Sequence, residues 1–132
     1  MTVRLDSTQG RLALLVEEPR LADDPERYIA GLEAVGAREE PFVLLISITV
    51  PLELSHELRK AQNLWFKATR QHLNGRCRAC AIVRLQPTEE MLKAFQGLWA
   101  FPVKVTASIA EAEAFLAAHD RTADATGGAA NP

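Results

Sequence analysis

The chain has 132 residues, 48% of them hydrophobic and 24% charged, with a net charge of −2, and a chain of this length forms one domain that buries about two-thirds of its unfolded surface. Its longest apolar run is far shorter than the ~20 residues that cross a membrane, and the N-terminus MTVRLDSTQG lacks the apolar core of a signal peptide. We therefore expect a cytoplasmic protein with no transmembrane segment, in which both cysteines are reduced.

Two strands and one helix are predicted in the first third of the chain. Residues 1–6 and 11–17 alternate in the manner of strands, and Gly10 supplies the positive φ that the turn between them needs. The helix starts at residues 24–26, where a capping aspartate, a proline and a glutamate follow one another. Gly36 is the expected stop of this helix.

The second half of the chain alternates three times between a strand-like and a helix-like run. The strands are predicted at 42–50, 77–85 and 103–107, and the helices at 54–73, 89–99 and 109–119. The first of these helices should end at Asn74-Gly75, and Ser108 and Glu111 have the spacing of a capping box that opens the last one. The order predicts an α/β domain with a mixed, mostly parallel five-stranded sheet and four helices. Residues 1–120 form this domain, and 121–132 are predicted to be a disordered tail.

Patterns of core residues carry a resemblance to a known family. The strand FVLLISITV leads into a helix, the strand CRACAIVRL leads through a proline into MLKAFQGLWAFPVKV, and the domain closes with SIAEAEAFLAAH. Over residues 42–118 these patterns resemble the SpoIIAA-like domains of the STAS group, which includes sulfate-transporter cytoplasmic domains and anti-sigma-factor antagonists. The resemblance implies a SpoIIAA-like fold and a non-enzymatic regulatory role. Some members of the wider set are similar to CRAL-TRIO lipid-carrier domains, which implies carriage of an apolar ligand as the alternative.

Ser55 is the candidate phosphoacceptor that this resemblance implies. In antagonist members a partner kinase phosphorylates a serine in an Asp-Ser-Ser-Gly-like turn that opens the helix after the central strand. Ser55 occupies the corresponding region, between Leu54 and His56. A phosphate there would meet the positive end of the helix dipole. The alternative interpretation is a plain capping residue without further function.

The charges are unevenly distributed along the chain. Residues 58–88, which we call the basic segment, carry seven basic and no acidic side chains, whereas 1–57 have a net charge of −6 and 89–132 of −3. Arg59, Lys67 and Arg70 would share one face of the long helix. Either this face binds an anionic partner, or it is solvated and paired with acids from 1–57, including those of a dimer mate. Nucleic acid is not expected, because no aromatic stacking motif or glycine-rich phosphate loop accompanies the charges.

Four aromatic residues of the second and third predicted helices are candidates for a ligand or partner surface: Trp65, Phe66, Phe95 and Trp99. Trp65 lies on the apolar stripe of its helix, and Phe66 lies about 100° away from it. If Phe66 and Trp99 are exposed together, they mark a dimer interface or a groove for a small apolar or lipid-like ligand. Ordinary core packing is the competing interpretation.

No catalytic residue, metal site or cofactor is predicted. The Cys77-x-x-Cys80 pair lies on a predicted strand, where residues three apart point to opposite faces and are too distant for a disulfide, so both cysteines are interpreted as structural. His56, His72 and His119 are scattered without a diagnostic partner. We therefore expect a non-enzymatic binding or regulatory module whose partner is another protein or a second copy of the chain.

Overall fold

A five-stranded sheet organises the structure. The computed structural model describes residues 3–8, 10–19 and 21–119, so the tail predicted at 121–132 lies outside the described residues. The strands are β1 (Val3–Thr8), β2 (Arg11–Val16), β3 (Phe42–Ile48), β4 (Cys77–Arg84) and β5 (Val103–Thr106), and the helices are α1 (Asp24–Gly36), α2 (His56–Arg76), α3 (Glu89–Leu98) and α4 (Ile109–His119). The strands lie side by side in chain order, with β1 antiparallel to β2 and all other neighbours parallel. The predicted mixed sheet with four helices is confirmed.

The sequence of β3 explains why helices cover both faces of the sheet. All seven residues of FVLLISI are buried, and a parallel strand without a polar face must be covered on both sides. Phe42, Leu44 and Ile46 point into a core cluster that includes side chains of α1 and α2, with α3 packed against it. Val43 and Leu45 point into a second cluster with Ala112 and Leu116 of α4. Three helices therefore share one face, and α4 lies alone on the other.

Two predictions from the local sequence, the turn at Gly10 and the capping box before α4, agree with the structure in large part. Gly10 has a φ of 74°, in the left-handed region that favours glycine. At the start of α4, the backbone N–H of Glu111 donates to Ser108 Oγ at 3.2 Å. The Glu111 carboxylate accepts a hydrogen bond from the Thr106 hydroxyl at 3.2 Å, while the Ser108 N–H donates to Thr106 Oγ1. The capping box is thus half formed, with Thr106 in place of the reciprocal bond.

Helix α2 is longer at its end than predicted. It continues through Gly75 to Arg76 and passes directly into β4 at Cys77, so the predicted stop at Asn74-Gly75 is wrong. Leu73 in the last turn is fully buried. A glycine in a helix lowers stability by only about 1 kcal/mol relative to alanine. The burial of a leucine side chain contributes more than that.

The predicted orientation of the two cysteines is also wrong. The pairing of β3 with β4 is irregular between Phe42 and Leu44, which pair with Cys77 and Cys80. This irregularity places both cysteines in the same core cluster instead of on opposite faces. Ile109 at the start of α4 is 49% exposed, because Ala112 and Leu116 form the side of α4 that faces the sheet.

Helices α1 and α2 make a close contact that positions α2. A Cβ atom added at Gly36 would lie 2.7 Å from Trp65 Nε1 and 2.8 Å from Thr69 Cγ2. The buried Tyr28 hydroxyl of α1 donates a hydrogen bond to Gln62 Oε1 of α2 at 2.9 Å. The inner side of α2 is therefore fixed against α1, and its opposite side faces solvent.

Substituting alanine for Gly36 should destabilise the protein by about 1–3 kcal/mol, because the added methyl group forces apart the contact with Trp65. Gly75 is the matched control: it also lies next to the end of a helix, and an added Cβ would meet nothing within 4 Å. Gly75→Ala should stabilise by up to about 1 kcal/mol. Urea denaturation measures both, and equal stability of the two variants would contradict the close contact.

Candidate functional site

Ser55 caps the long helix at the end of the loop that follows β3. Its backbone is extended, with φ −62° and ψ 166°, and its hydroxyl oxygen accepts a hydrogen bond from the Leu58 N–H at 3.1 Å. The side chain is exposed. Arg59, one turn further on, donates from Nη2 to the carbonyl of Leu54 at 3.2 Å. Ser55 thus has the exposed position at a helix N-terminus that a phosphoacceptor needs, and it also performs the structural work of a cap.

The outward side of α2 carries four cations. Arg59, Lys60, Lys67 and Arg70 are all exposed, and we call these four residues the basic face. At about 100° per residue they fall within roughly one-third of the helix circumference. Glu57 is the one acidic residue among the 21 residues of α2. The predicted co-location of Arg59, Lys67 and Arg70 is therefore observed.

The basic face has no acidic partner within the described part of the chain. Of all the residues in the basic segment, only Arg76 forms an ion pair with a described residue, with Glu39 at 3.9 Å. Some acids elsewhere pair with other cations, as in the pairs of Arg27 with Asp23 and of Arg11 with Glu113. Pairing with this chain's own acids from 1–57, part of one of the two sequence interpretations, is thus limited among the described residues to Arg76, which lies outside the basic face.

The aromatic candidates form a packed cluster between α2 and α3. Ring centroids lie 5.2 Å apart for Trp65 and Phe66, 5.7 Å for Phe66 and Trp99, and 5.7 Å for Phe95 and Trp99. Trp99 also stacks on Phe101 at 5.0 Å. Trp65 and Trp99 are only 7% and 4% exposed, so they belong to the core and not to a surface, while Phe66 and Phe95 are half-buried. The rings fill the space between α2 and α3, where a carrier, the alternative function, would hold its apolar ligand.

The cysteines and histidines do not converge. Cys77 and Cys80 are free and buried; burial raises the pKa of Cys77 to about 12 and holds that of Cys80 well above its usual value. His72 Nε2 lies 2.6 Å from the carbonyl oxygen of Arg38, and His119 Nδ1 lies 2.9 Å from that of Phe115. No three metal-ligating side chains come together among the residues that the structure describes.

One feature of the site escaped the sequence analysis. At the carboxyl ends of β3 and β4 lies a cavity of about 290 Å³, and Arg84, the last residue of β4, lines it. Arg84 is half-buried and points to the same side of the sheet as the buried Tyr28, whose pKa is raised to about 12, chiefly by burial. In the sequence Arg84 is one of several cations in the basic segment, and its one distinguishing signal is its place at the end of a predicted strand, in alternation with Cys80 and Ile82.

Comparison with known proteins identifies no relative: no protein-family model, curated protein or solved structure matches this chain. In addition, none of the helices in residues 3–8, 10–19 and 21–119 is both long and apolar enough to cross a membrane.

Replacing Ser55 by alanine should lower the free energy of unfolding by about 1 kcal/mol, since the Leu58 N–H loses its acceptor. Ser55→Asn is the matched control, because asparagine caps a helix as well as serine does. Thermal or urea unfolding measures the difference. An alanine variant as stable as the wild type would show that the cap contributes nothing.

Both cysteines should resist alkylation in the folded protein at neutral pH, because only the thiolate reacts and burial keeps both thiols protonated. Incubation with iodoacetamide and mass spectrometry of the intact protein should show no adduct under native conditions and two adducts in concentrated urea. Rapid modification of the native protein would mean that the C-terminal end of α2 opens readily, because Cys77 directly follows it.

Proposed function

We propose that this protein is a non-enzymatic binding or regulatory module of the SpoIIAA-like, STAS-like type, which acts through Ser55 and the basic face of α2. The fold is compatible with this assignment, since a sheet in sequential strand order carries three helices on one side and one on the other. The partner is an acidic surface of another protein or of a second copy of this chain. The proposal places no reaction in the site.

The observation that carries the proposal is the unpaired basic face. Arg59, Lys60, Lys67 and Arg70 lie exposed on a single helix without an ion pair to any described residue. Complementary charge increases the rate of association and selects against partners of like charge. A rigid helix whose inner side is held by packing presents such charges in a fixed arrangement, which reduces the entropy lost on binding.

Ser55 gives this surface a means of control. It lies at the N-terminus of the same helix, exposed and one turn before Arg59. Phosphorylation adds about −1.5 to −2 charges at neutral pH. Negative charge beside the basic face would lower its attraction for an acidic partner, so modification of Ser55 would weaken binding.

Neutralising three cations of the basic face should abolish most of the binding. The test variant is Arg59→Gln with Lys67→Gln and Arg70→Gln, and the control is Arg4→Gln with Arg27→Gln and Lys93→Gln, which changes net charge equally on other exposed positions. Partners crosslinked to the wild type in cells are identified, purified and titrated against each variant by calorimetry, and sedimentation equilibrium measures self-association. Three lost charge contacts should weaken binding about tenfold.

The control variant should bind within about twofold of the wild type, and Ser55→Asp, which retains the cap and adds charge, should bind more weakly. Binding should also fall as salt concentration rises. Equal loss of affinity in the test and control variants would mean that net charge and not the basic face is responsible. A partner that binds the test variant as tightly as the wild type would refute the proposal.

A further inference from the structure

The cavity at the carboxyl ends of β3 and β4 has the form of a small binding site. Ile48 and Arg84 are register partners at the ends of the two parallel strands and form its base. The loop after β3 contributes Val50, Pro51 and Leu52 to one wall, and Met91 of α3 contributes to another. The volume of about 290 Å³ is close to the lower end of the range for small-molecule sites.

Arg84 is an unpaired cation in this cavity. It is half-buried, and no ion pair or hydrogen bond joins its guanidinium to a side chain in the described residues. The hydrogen bond of the nearby Tyr28 hydroxyl is to Gln62 Oε1 and not to the guanidinium. Removing a cation partly from water without an acidic partner costs free energy, and a bound anion would recover that cost.

The remaining wall residues define what kind of anion fits. Apart from Arg84, the one polar side chain that lines the cavity is Gln86, which can donate a hydrogen bond through its amide, and none of the lining residues is acidic. Val50, Pro51, Leu52 and Met91 are apolar. A carboxylate takes two parallel hydrogen bonds from one arginine and places its hydrocarbon part against the apolar side chains of the walls.

We propose that the cavity at the ends of β3 and β4 binds a small aliphatic carboxylate, whose carboxylate group is held by Arg84 and whose hydrocarbon part contacts Leu52 and Met91. The volume accommodates roughly ten water-sized groups, which suits a chain of about five to seven carbons. The ligand would contact Leu52, three residues before the Ser55 cap, and would so help to order the loop that precedes α2. The site is separate from the basic face, and its occupancy does not depend on the proposed partner.

The test is a titration of the full-length protein followed by its backbone amide resonances in heteronuclear NMR. The probe is isocaproate, and isocaproamide and isohexylamine serve as controls with the same hydrocarbon part and a neutral or positive head group. We expect saturable shifts with isocaproate that are largest for residues 48–52 and 84–91. The amide should bind at least about tenfold more weakly, because it lacks the charge-assisted hydrogen bonds to Arg84, and the amine should not bind.

Two variants test separately the charge of Arg84 and the space inside the cavity. Arg84→Met should weaken isocaproate binding at least about tenfold, whereas Lys93→Met, which removes an exposed cation from α3, should leave it unchanged. Met91→Trp fills the cavity without altering charge and should also abolish binding, so the test survives if Arg84→Met fails to fold. The triple glutamine variant of the basic face should bind isocaproate like the wild type, which distinguishes this proposal from the proposed partner interaction.

Three results would overturn the proposal. The first is equal binding of isocaproamide or isohexylamine. The second is retention of isocaproate affinity within about twofold in a folded Arg84→Met or Met91→Trp variant. The third is the absence of saturable shifts at residues 48–52 and 84–91 with isocaproate at tens of millimolar.

Discussion

The buried strand β3 is the constraint on which the rest of the structure depends. Each of its seven residues is buried. A fully buried strand has to form backbone hydrogen bonds along both edges and has to be covered by other side chains on both faces. Strands β2 and β4 pair with the two edges of β3, and the two core clusters cover its two faces. Parallel pairing demands a long crossover between successive strands, and α1, α2 and α3 provide these crossovers on a shared side of the sheet. Only α4 is free to cover the other side.

The need to cover β3 also gives the two sides of α2 different roles. Its inner side has to cover the sheet and contact α1, and Trp65, Gln62 and the close approach at Gly36 satisfy that requirement. Its outer side is released from packing and carries charges that no described acid neutralises. A helix that is held firmly on one side is a suitable support for recognition on the other, because the backbone that carries the binding groups is already ordered when a partner arrives.

The ends of the parallel strands bring the two proposed sites close together. Because β3 and β4 run in the same direction, the loops that follow them meet at one edge of the sheet. One loop leads to Ser55 and the basic face, and the other begins at Arg84 beside the cavity. Leu52 lies in the first loop and lines that cavity. A ligand in the cavity and a charge change at Ser55 would therefore both act on the short loop between β3 and α2.

The sequence by itself determined the architecture, because the relevant signals are local and periodic. The apolar run of β3, the stripe of α2 with Trp65 and the turn at Gly10 each specify their own element, and the co-location of Arg59, Lys67 and Arg70 follows from helical spacing alone. Tertiary packing decided the features that join distant parts of the chain. It extended α2 past Gly75 because Leu73 is buried, it placed Cys77 and Cys80 in one cluster through an irregular pairing with β3, and it enclosed Trp99 among other rings. It also brought the loop after β3, more than 30 residues earlier in the chain, against Arg84, so that this arginine lines a cavity; strand spacing alone does not predict that contact.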